Sequence, residues 1–440
     1  METISIPTFI INLKRRIDRK KNIEKEFEGR SEFIITFIEA CEHSIGAVGL
    51  WKTMKNIIQV AIANNFDYIL ICEDDHQFTE NYSKDWLLHC IDEVRKKNAD
   101  ILIGGVNWFE DAVPVSNDLF WVNIYNGNQF IIIFNSFYNK ILDAVFSEHD
   151  AADYKISALS SNKYYIHPFI SVQKEFGYSD ATSKNNGTNR MEDLFVNTSA
   201  MSQMLKDAKN FYDKLSKNTA IQIDHFENTI IPVYIINLAE RPERLEHALK
   251  QFNGKTEFDV TVVNACKHEI GAFGLWQSIR KVIQLAIHND DDVIIICEDD
   301  HEFTKAYSKE YLFTDILQAH DLGCDYMSGG CAKFDLIFRI SERKFWTNYC
   351  LSTQFIIVYR KFFEKILNEP YDETVVGDIK LSQMTSNKMI LYPYISCQKE
   401  FPYSDVTSIH NEEKGIVQRM FSNSERRIEQ INPFFIEHKY

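Results

Sequence analysis

Apolar and polar positions alternate along the chain in a pattern that predicts strands and helices in turn. In the first half the expected strands cover residues 8–13, 33–38, 100–103 and 129–134, and the expected helices cover 16–27, 86–97 and a segment opening at Gly46. This last helix carries apolar residues at helical spacing on one side, which indicates a core-facing surface: Trp51, Met54, Ile58, Ala61 and Ile62. Strands that alternate with helices indicate βαβ units and a mostly parallel sheet.

One predicted strand in each half ends in a cluster of acids. Apolar runs at residues 68–72 and 293–297 lead without a break into three acids each: Glu73, Asp74 and Asp75, and Glu298, Asp299 and Asp300. An uninterrupted aliphatic run is typical of a strand buried on both faces of a parallel sheet. Such strands end at the carboxyl edge of the sheet, where open α/β folds bind ligands. We therefore expect the acids to lie at two ligand-binding edges.

Three carboxylates at one sheet edge repel one another unless a cation or hydrogen-bond donors compensate them. Carboxylate oxygens suit Mg²⁺ and Mn²⁺, which are commonly shared between one or two carboxylates and substrate phosphates. The alternative is a solvated acidic loop that caps the next helix, because Asp and Glu favour helix N-termini. Since the cluster occurs twice, we expect a divalent metal, Mn²⁺ or Mg²⁺. His76 and His301 follow the acids directly and could complete a metal shell, although capping or packing is the commoner role of such a histidine.

The two halves of the chain are copies of one another. Residues 6–13 match residues 231–238 at an offset of 225 positions, and the same offset joins the acid clusters and the later motifs. A period this long indicates duplicated whole domains and not a solenoid of short units. We expect one domain at residues 1–200, a helical connector at 201–228 and a second domain at 229–440, whose charged tail forms a last helix.

Two arginines three positions apart follow the first strand of each copy: Arg16 and Arg19, and Arg241 and Arg244. Positive charge at a helix N-terminus is unfavourable against the helix dipole, so it calls for an anion. A nucleotide diphosphate fits, because guanidinium groups bind phosphate in a bidentate manner. The alternative is a solvated helix face on which an arginine pairs with Glu24 or Glu246.

A later aspartate, Asp153 in the first copy and Asp378 in the second, precedes a helical turn that contains a lysine. A single carboxylate opposite an electrophile is what a general base looks like, whereas helix N-capping is the equally good alternative. Further along, residues 168–173 recur as 393–398, and Ser179-Asp180 recurs as Ser404-Asp405. Polar residues on such loops often contact ligands.

Composition narrows the range of functions. The 440 residues carry a formal net charge of −15, which argues against general binding to nucleic acid or to an anionic membrane. No apolar run is as long as the roughly 18 residues of a membrane span, and the N-terminus lacks a signal-peptide pattern, so we expect a cytoplasmic protein, with peripheral membrane contact left open. The nine cysteines include no CxxC pair. We expect Cys41, Cys72, Cys266 and Cys297 to be small core residues and not disulfide partners or metal ligands.

Several common reaction classes are disfavoured. Neither copy has a Walker loop or a GxGxxG turn after its first strand, and no catalytic triad is evident. These absences argue against phosphoryl transfer through a P-loop and against hydride transfer on a dinucleotide fold.

Taken together, the motifs resemble glycosyltransferase family 25. The resemblance rests on Asn-Leu-x-x-Arg-x-x-Arg after the first strand, Ile-Gly before the helix with Trp, the aliphatic strand ending in Glu-Asp-Asp, the late Asp, Pro-x-Ile-x-x-Gln and Ser-Asp, and it spans nearly all of each copy. One element departs, since the family's Gly-Cys-x-x-Ser-His stands here as residues 46–51 and 271–276 without Ser or His.

The resemblance implies two tandem GT-A-like domains, which are Rossmann-like α/β domains with a mostly parallel sheet. It implies transfer from a nucleotide-sugar donor, with a UDP-sugar favoured, to a hydroxyl of a glycan, lipid-linked or protein acceptor with inversion at the anomeric carbon. The metal would bind at Glu73, Asp74 and Asp75 and at Glu298, Asp299 and Asp300, and the donor at Asn12, Arg16, Arg19, Asn237, Arg241 and Arg244. Two other functions stay open: a non-catalytic carbohydrate- or nucleotide-binding module, and a sugar nucleotidyltransferase.

Overall fold

A computed structural model describes residues 5–177, 190–216, 229–372, 376–401 and 414–437. Within these residues the chain forms two compact units. Unit 1 comprises the described residues up to Lys206 together with Glu437, and unit 2 runs from Asp207 to Ile436.

Unit 1 contains twelve strands and the first six helices of the described chain. They are β1 (Ile6–Asn12), α1 (Ile17–Glu26), β2 (Phe33–Glu39), α2 (Gly46–Ala63), β3 (Tyr68–Glu73), β4 (His76–Phe78), α3 (Lys84–Lys96), β5 (Ile101–Ile103), β6 (Trp108–Phe109), β7 (Ala112–Pro114), β8 (Leu119–Val122), β9 (Tyr125–Asn126), β10 (Phe130–Phe134), α4 (Asn135–Asp143), α5 (Ala152–Leu159), β11 (Lys163–Ile166), β12 (Ser171–Gln173) and α6 (Arg190–Ser216), which continues beyond Lys206.

Unit 2 repeats the same order over its described residues. Its elements are β13 (Ile231–Asn237), α7 (Pro242–Phe252), β14 (Phe258–Asn264), α8 (Gly271–His288), β15 (Val293–Glu298), β16 (His301–Phe303), α9 (Lys309–Asp321), β17 (Tyr326–Ser328), β18 (Lys333–Phe334), β19 (Ile337–Arg339), β20 (Lys344–Thr347), β21 (Cys350–Leu351), β22 (Phe355–Tyr359), α10 (Arg360–Asn368), α11 (Gly377–Met384), β23 (Lys388–Leu391), β24 (Ser396–Gln398) and α12 (Ile416–Glu437).

Each unit is built on an eight-stranded sheet. Its order is β2-β1-β3-β10-β5-β11-β8-β7 in unit 1 and β14-β13-β15-β22-β17-β23-β20-β19 in unit 2. Six strands run in one direction, whereas β10 and β8, like β22 and β20, run against them. The predicted fold class is confirmed in its architecture, which is two tandem α/β domains with mostly parallel sheets.

The reversed strand β10 matters for the site. Because it runs against β3, it starts at the edge where β3 ends, with Phe130 paired to Cys72. Residues just before β10 therefore lie beside the acids that follow β3. The Glu73 N–H donates to the Gln129 carbonyl at 3.1 Å, and the Glu298 N–H donates to the Gln354 carbonyl at 3.0 Å in unit 2.

The core lies between the sheet and the helices that cover it. Residues 69–72 of β3 are buried on both faces, as their unbroken apolar run predicts. The helix α2 buries Trp51, Met54, Ile58 and Ala61 as expected. Ile62, however, exposes 42% of its surface. It follows Ala61 by one residue, which turns it about 100° around a helix of 3.6 residues per turn and away from the core.

Two helices were predicted outside the repeated strand-helix pattern, one at the charged tail and one in the connector. The helix at the charged tail is α12. The helix α6 begins at Arg190 and ends at Ser216, so it includes the first part of the expected connector, whereas residues 217–228 lie outside the described residues. In the described part of the chain, none of the helices is both long and apolar enough to cross a membrane.

The cysteines follow the prediction in part. All nine are in described segments and none is in a disulfide. Cys72 and Cys297 are fully buried core residues, whereas Cys41 and Cys266 are only partly buried. These two lie in the loop that approaches the start of α2 or α8, where a side chain on Gly49 would come within 2.2 Å of the Cys41 carbonyl oxygen.

Candidate active site

The acids lie in a tight turn at the carboxyl edge of each sheet. In unit 1, β3 ends at Glu73, and Asp74 and Asp75 turn the chain into the short strand β4, which pairs with β12. Asp74 and its counterpart Asp299 each expose only 8% of their surface. The element that follows is a strand, so the interpretation of a solvated loop that caps the next helix is wrong.

Neighbouring strands bring an asparagine onto the middle acid. The strands β1 and β3 are parallel, with Ile11 opposite Glu73, so Asn12 follows beside Asp74. The Asn12 Nδ2 donates to Asp74 Oδ2 at 2.8 Å, and Asn237 donates to Asp299 Oδ2 at 2.8 Å in unit 2. The predicted donor-site asparagines therefore contact the acids directly.

The second arginine of each predicted pair is a counterion of the acids. Arg19 lies in the first turn of α1, and its Nη1 is 2.9 Å from Asp74 Oδ1 and 3.5 Å from Asp75 Oδ2. In unit 2 the Nη2 of Arg244 bridges Asp299 and Asp300 at 2.5 and 2.8 Å. Both arginines are buried, so the interpretation of a solvated helix face is wrong.

The first arginine of each pair has a different position. Arg16 and Arg241 are N-cap residues of α1 and α7 and are half-buried. Their carbonyls accept from Asn12 and Asn237 at 3.2 Å. Sequence spacing alone places both arginines of a pair on one helix turn. The structure separates them into one that pairs with the acids and one at the helix entrance.

A glutamine and an aromatic ring complete each cluster, and neither was among the predicted site residues. Gln398 at the end of β24 donates to Asp300 Oδ2 at 2.7 Å, and Gln173 likewise bonds Asp75. The Arg244 guanidinium lies 4.8 Å from the centre of the Phe401 ring, as Arg19 does over Phe176. The two glutamines end the recurring motif at residues 168–173 and 393–398, and the two rings lie three residues further on at equivalent positions, so the repetition was a signal for both. The recurring Ser179-Asp180 and Ser404-Asp405 lie outside the described residues.

The acids are held in an environment that disfavours their charge. Burial raises the pKa of Asp75 to about 7 and that of Asp299 to about 6. Burial and the neighbouring Asp300 raise the pKa of Glu298 to about 8. One oxygen in each cluster, Oδ1 of Asp75 or of Asp300, is buried without a hydrogen-bond partner among the described residues. A further positive charge at this oxygen would relieve the repulsion.

These contacts define how a metal ion would fit. No group of three or more His, Cys, Asp or Glu side chains in the described part of the chain is arranged to hold an ion by itself. Both oxygens of Asp74 are already engaged by Asn12 and Arg19. The unpartnered Asp75 and Asp300 oxygens fit an ion that takes its other ligands from substrate phosphates, as Mg²⁺ commonly does.

His76 and His301 are core residues and not part of the cluster. Each is fully buried, and its Nδ1 lies 2.8 Å from the Ser171 or Ser396 hydroxyl. The His76 ring packs edge-on against Phe78 with 4.3 Å between centroids. Burial lowers the pKa of both histidines to about 3, so they are neutral. The packing role is therefore correct, and completion of a metal shell by these histidines is wrong.

Asp153 and Asp378 lie in the first turns of α5 and α11, and neither is the N-cap residue. The Asp153 carboxylate accepts from the Gly127 N–H at 3.0 Å and from Asn128 Nδ2 at 2.9 Å. The Asp378 carboxylate accepts from the neighbouring Ile379 N–H at 2.8 Å. Burial raises the pKa of both groups, that of Asp378 to about 6. Simple helix capping therefore does not describe Asp153, whose partners come from the segment before β10.

A cavity of about 1210 Å³ opens at the acid edge of unit 2. Its lining includes the acids Glu298, Asp299 and Asp300 together with Arg241, Arg244 and Asp378. This volume is large enough for a nucleotide-sized ligand, since small-molecule sites typically measure about 300–1,000 Å³. The cavity therefore brings together the predicted metal, phosphate and base residues of the second copy.

Comparison with known proteins identifies no family for the chain. No protein-family model matches it, and neither does any curated protein. Among solved structures it is similar to A197 from STIV, with 14% identity over 40% of this chain and 87% of that one and a TM-score of 0.29. It is also similar to an apo UDP-glucose pyrophosphorylase, with 9% identity, coverage of 45% and 82% and a TM-score of 0.27. The glycosyltransferase GlyE of Streptococcus pneumoniae TIGR4 has 9% identity, coverage of 72% and 98% and a TM-score of 0.25. At these scores the similarities support no conclusion on function.

Proposed function

We propose that the protein transfers a sugar from a nucleotide-sugar donor to an acceptor hydroxyl, with the donor diphosphate bound at the acid edge. The observation that carries this proposal is the duplicated cluster in which Asn and Arg hold two acids, while one carboxylate oxygen is buried and has no hydrogen-bond partner in the described part of the chain. The motifs shared with glycosyltransferase family 25 support the same function, and a UDP-sugar is the donor we favour.

The residues present fit a divalent ion at this position. In unit 1 Asp75 Oδ1, and in unit 2 Asp300 Oδ1, would help to hold a separate Mn²⁺ or Mg²⁺ ion, and each ion would supply Lewis-acid stabilisation of the leaving diphosphate. Arg19 pairs with Asp74 and Asp75, and Arg244 pairs with Asp299 and Asp300, so each arginine balances part of the charge of its cluster. Arg241 lines the cavity, and its guanidinium group would bind the phosphates.

The residue proposed to take the acceptor proton is Asp378. Inversion at the anomeric carbon proceeds by one displacement, so a single carboxylate is enough as general base. Asp378 lines the cavity with the acids, and burial raises its pKa to about 6, which is close to the range where a base is most effective at neutral pH.

A second function is favoured for unit 1 by one observation. Both oxygens of Asp153 accept hydrogen bonds from Gly127 and Asn128. A carboxylate that is held in this way is a weaker proton acceptor than one with a vacant oxygen. Unit 1 is therefore a candidate for a non-catalytic module that binds a nucleotide or carbohydrate, with transfer carried out by unit 2.

The test is nucleotide release from a panel of nucleotide sugars with and without Mn²⁺, using Asp75→Asn, Asp300→Asn and the double variant. Asn keeps the size of the side chain, and a thermal melt reports folding of each variant. Asp67→Ala and Asp292→Ala are matched controls, since these equivalent acids are 69% and 91% exposed. We expect Asp300→Asn to abolish metal-dependent release and the controls to retain it. Unchanged release in the folded double variant would refute the proposal.

A further inference from the structure

The cavity of unit 2 is lined by both charged and apolar side chains. The charged group is the acid cluster with Arg241 and Arg244. Six further lining residues have apolar side chains and are called the apolar wall here: Ala332, Leu351, Val376, Ile379, Ile416 and Met420. A nucleotide diphosphate matches the charged group, which leaves the apolar wall for the acceptor.

Hydrogen bonds fix this wall beside the acids. The Thr353 hydroxyl donates to Glu298 Oε1 at 2.6 Å, two residues beyond Leu351. The Cys350 N–H donates to the Ser382 hydroxyl at 2.8 Å, which ties β21 to α11, the helix that carries Asp378. Leu351 of β21 and Ile379 of α11 therefore lie on two connected elements, and α11 also carries the proposed base. An acceptor hydroxyl at Asp378 therefore places the adjacent part of the acceptor against the wall.

Unit 1 has a different surface at the equivalent positions. Asn107, Asn126 and Tyr154 occupy the places of Ala332, Leu351 and Ile379. Trp108 lies opposite Asn126 in the β6–β9 pair and exposes 41% of its surface. Its ring lies 6.2 Å from that of Tyr154, which is 45% exposed. Carboxamides and exposed aromatic rings suit a hydroxyl-rich ligand, whereas the wall of unit 2 offers such a ligand no hydrogen bonds.

We propose that unit 2 takes an acceptor glycoside in which an apolar aglycone adjoins the reacting sugar, and that Leu351 and Ile379 select it. This inference rests on the proposed function of unit 2. Apolar surface leaves water favourably at such a wall, at roughly 25 cal/mol per Å². A bare sugar at the same place would leave hydroxyl groups without partners, which is unfavourable when they are desolvated.

The test compares hexyl and methyl glycosides of glucose, galactose, mannose and N-acetylglucosamine. Binding is measured by titration calorimetry in the Asp75→Asn background, in the presence of Mn²⁺ and UDP. The variant Leu351→Asn/Ile379→Tyr installs the residues of unit 1 at two half-buried positions. The matched control is Asn126→Leu/Tyr154→Ile in unit 1. Thermal melts report the folding of each.

We expect at least one hexyl glycoside to bind about tenfold more tightly than its methyl counterpart, because several of its five extra methylenes leave water. The preference should fall below about threefold in Leu351→Asn/Ile379→Tyr and persist in the unit 1 control. A preference that is unchanged in the folded double variant, or no hexyl preference in any of the four sugars, would overturn the inference.

Donor hydrolysis by water separates this inference from the proposed function, because it needs no acceptor. If no hexyl preference is found while metal-dependent hydrolysis is intact, only the inference of an apolar subsite is contradicted. The converse result is a hexyl preference without any metal-dependent hydrolysis of the donor. It would contradict the proposed transferase function and leave only a cavity that binds glycosides.

Discussion

The Asn128 carboxamide lies with its Nδ2 2.9 Å from Asp153 Oδ1, whereas the equivalent Thr353 donates to Glu298 and makes no hydrogen bond to Asp378. The Asn128 carbonyl oxygen accepts from the Tyr125 hydroxyl at 3.1 Å, which fixes the orientation of the amide. Equivalent aspartates of the two copies therefore have different partners, and the same substitution should act on them in opposite directions.

Asp153→Asn should destabilise unit 1. The Gly127 N–H and the Asn128 Nδ2 both donate to Asp153. An asparagine at position 153 would turn its own Nδ2, which is also a donor, toward one of them. A buried donor without an acceptor costs about 1–3 kcal/mol. The free energy of unfolding from urea denaturation should fall by this amount. Asp153→Ala, which leaves both donors unsatisfied, should be at least as destabilising.

Asp378→Asn should stabilise unit 2 at neutral pH. Burial raises the pKa of Asp378 to about 6, above the unfolded value of about 3.9, so its ionisation opposes folding as the pH rises between the two values. The shift of about two units corresponds to about 3 kcal/mol at pH 7, as an upper bound. We expect a higher melting temperature for Asp378→Asn at pH 7 and little difference near pH 4. An equal gain at both pH values would contradict this electrostatic origin.

The rate of transfer should depend on the same group. Asp378 acts as a base only when it is deprotonated, so kcat/KM should rise about tenfold per pH unit below about 6 and level off above it. The measurement uses the Asp75→Asn background between pH 4.5 and 8, with stability checked at each pH. If kcat/KM does not change with pH, or if its pH dependence is the same in Asp378→Asn, Asp378 is not the base.

A buried ion pair in unit 2 has an apolar counterpart in unit 1. Lys344 pairs with Asp315, and both side chains are 1% exposed, whereas unit 1 has Leu119 and Cys90 at these positions. Lys344→Leu alone should cost about 3–5 kcal/mol, because it leaves the buried Asp315 with only the more distant Arg343, 3.7 Å away, as its counterion. The double variant Lys344→Leu/Asp315→Cys should recover most of this loss, since replacing both partners by apolar groups is often near neutral. Urea denaturation of the two single variants and the double variant measures the coupling.

Gly330 is required by a close approach of two backbones. A side chain there would place its Cβ 2.0 Å from the Ser396 carbonyl oxygen. In unit 1 a Cβ at position 105 would lie 2.2 Å from the Ser171 carbonyl oxygen. Gly330→Ala should therefore destabilise unit 2 by about 3 kcal/mol, the upper end of overpacking costs. Gly377→Ala is the control, because its nearest neighbouring atom lies 3.9 Å away and unit 1 has an alanine there. Similar melting temperatures for the two variants would contradict the steric explanation.

The sequence predicted the duplication, the mostly parallel sheets and the acids at a strand end because these depend on local patterns that repeat. It did not predict that β10 is antiparallel, since an apolar run such as residues 130–134 has no direction. It left the partner of Arg19 open, because the pairing with Asp74 joins residues 55 positions apart.

The different environments of Asp153 and Asp378 were also beyond the sequence. These environments depend on whether residues of the segment before β10 or β22 donate hydrogen bonds to the aspartate. The substitution of Gly127-Asn128 by Ser352-Thr353 is visible in the sequence, but its effect on hydrogen bonding depends on contacts with residues far away along the chain.

The reversed strand, β10 in unit 1 and β22 in unit 2, brings a second segment of the chain to the edge where the acids lie. The acids follow a strand whose register is fixed by neighbours on both sides, whereas residues 351–354 precede β22 and only reach the same edge because that strand enters from there. A change at Leu351 can therefore alter the surface beside the acids without changing the strand that carries them. Duplication of such a unit gives a chain in which the segment before the reversed strand can diverge between the copies while the acid-bearing strand stays the same.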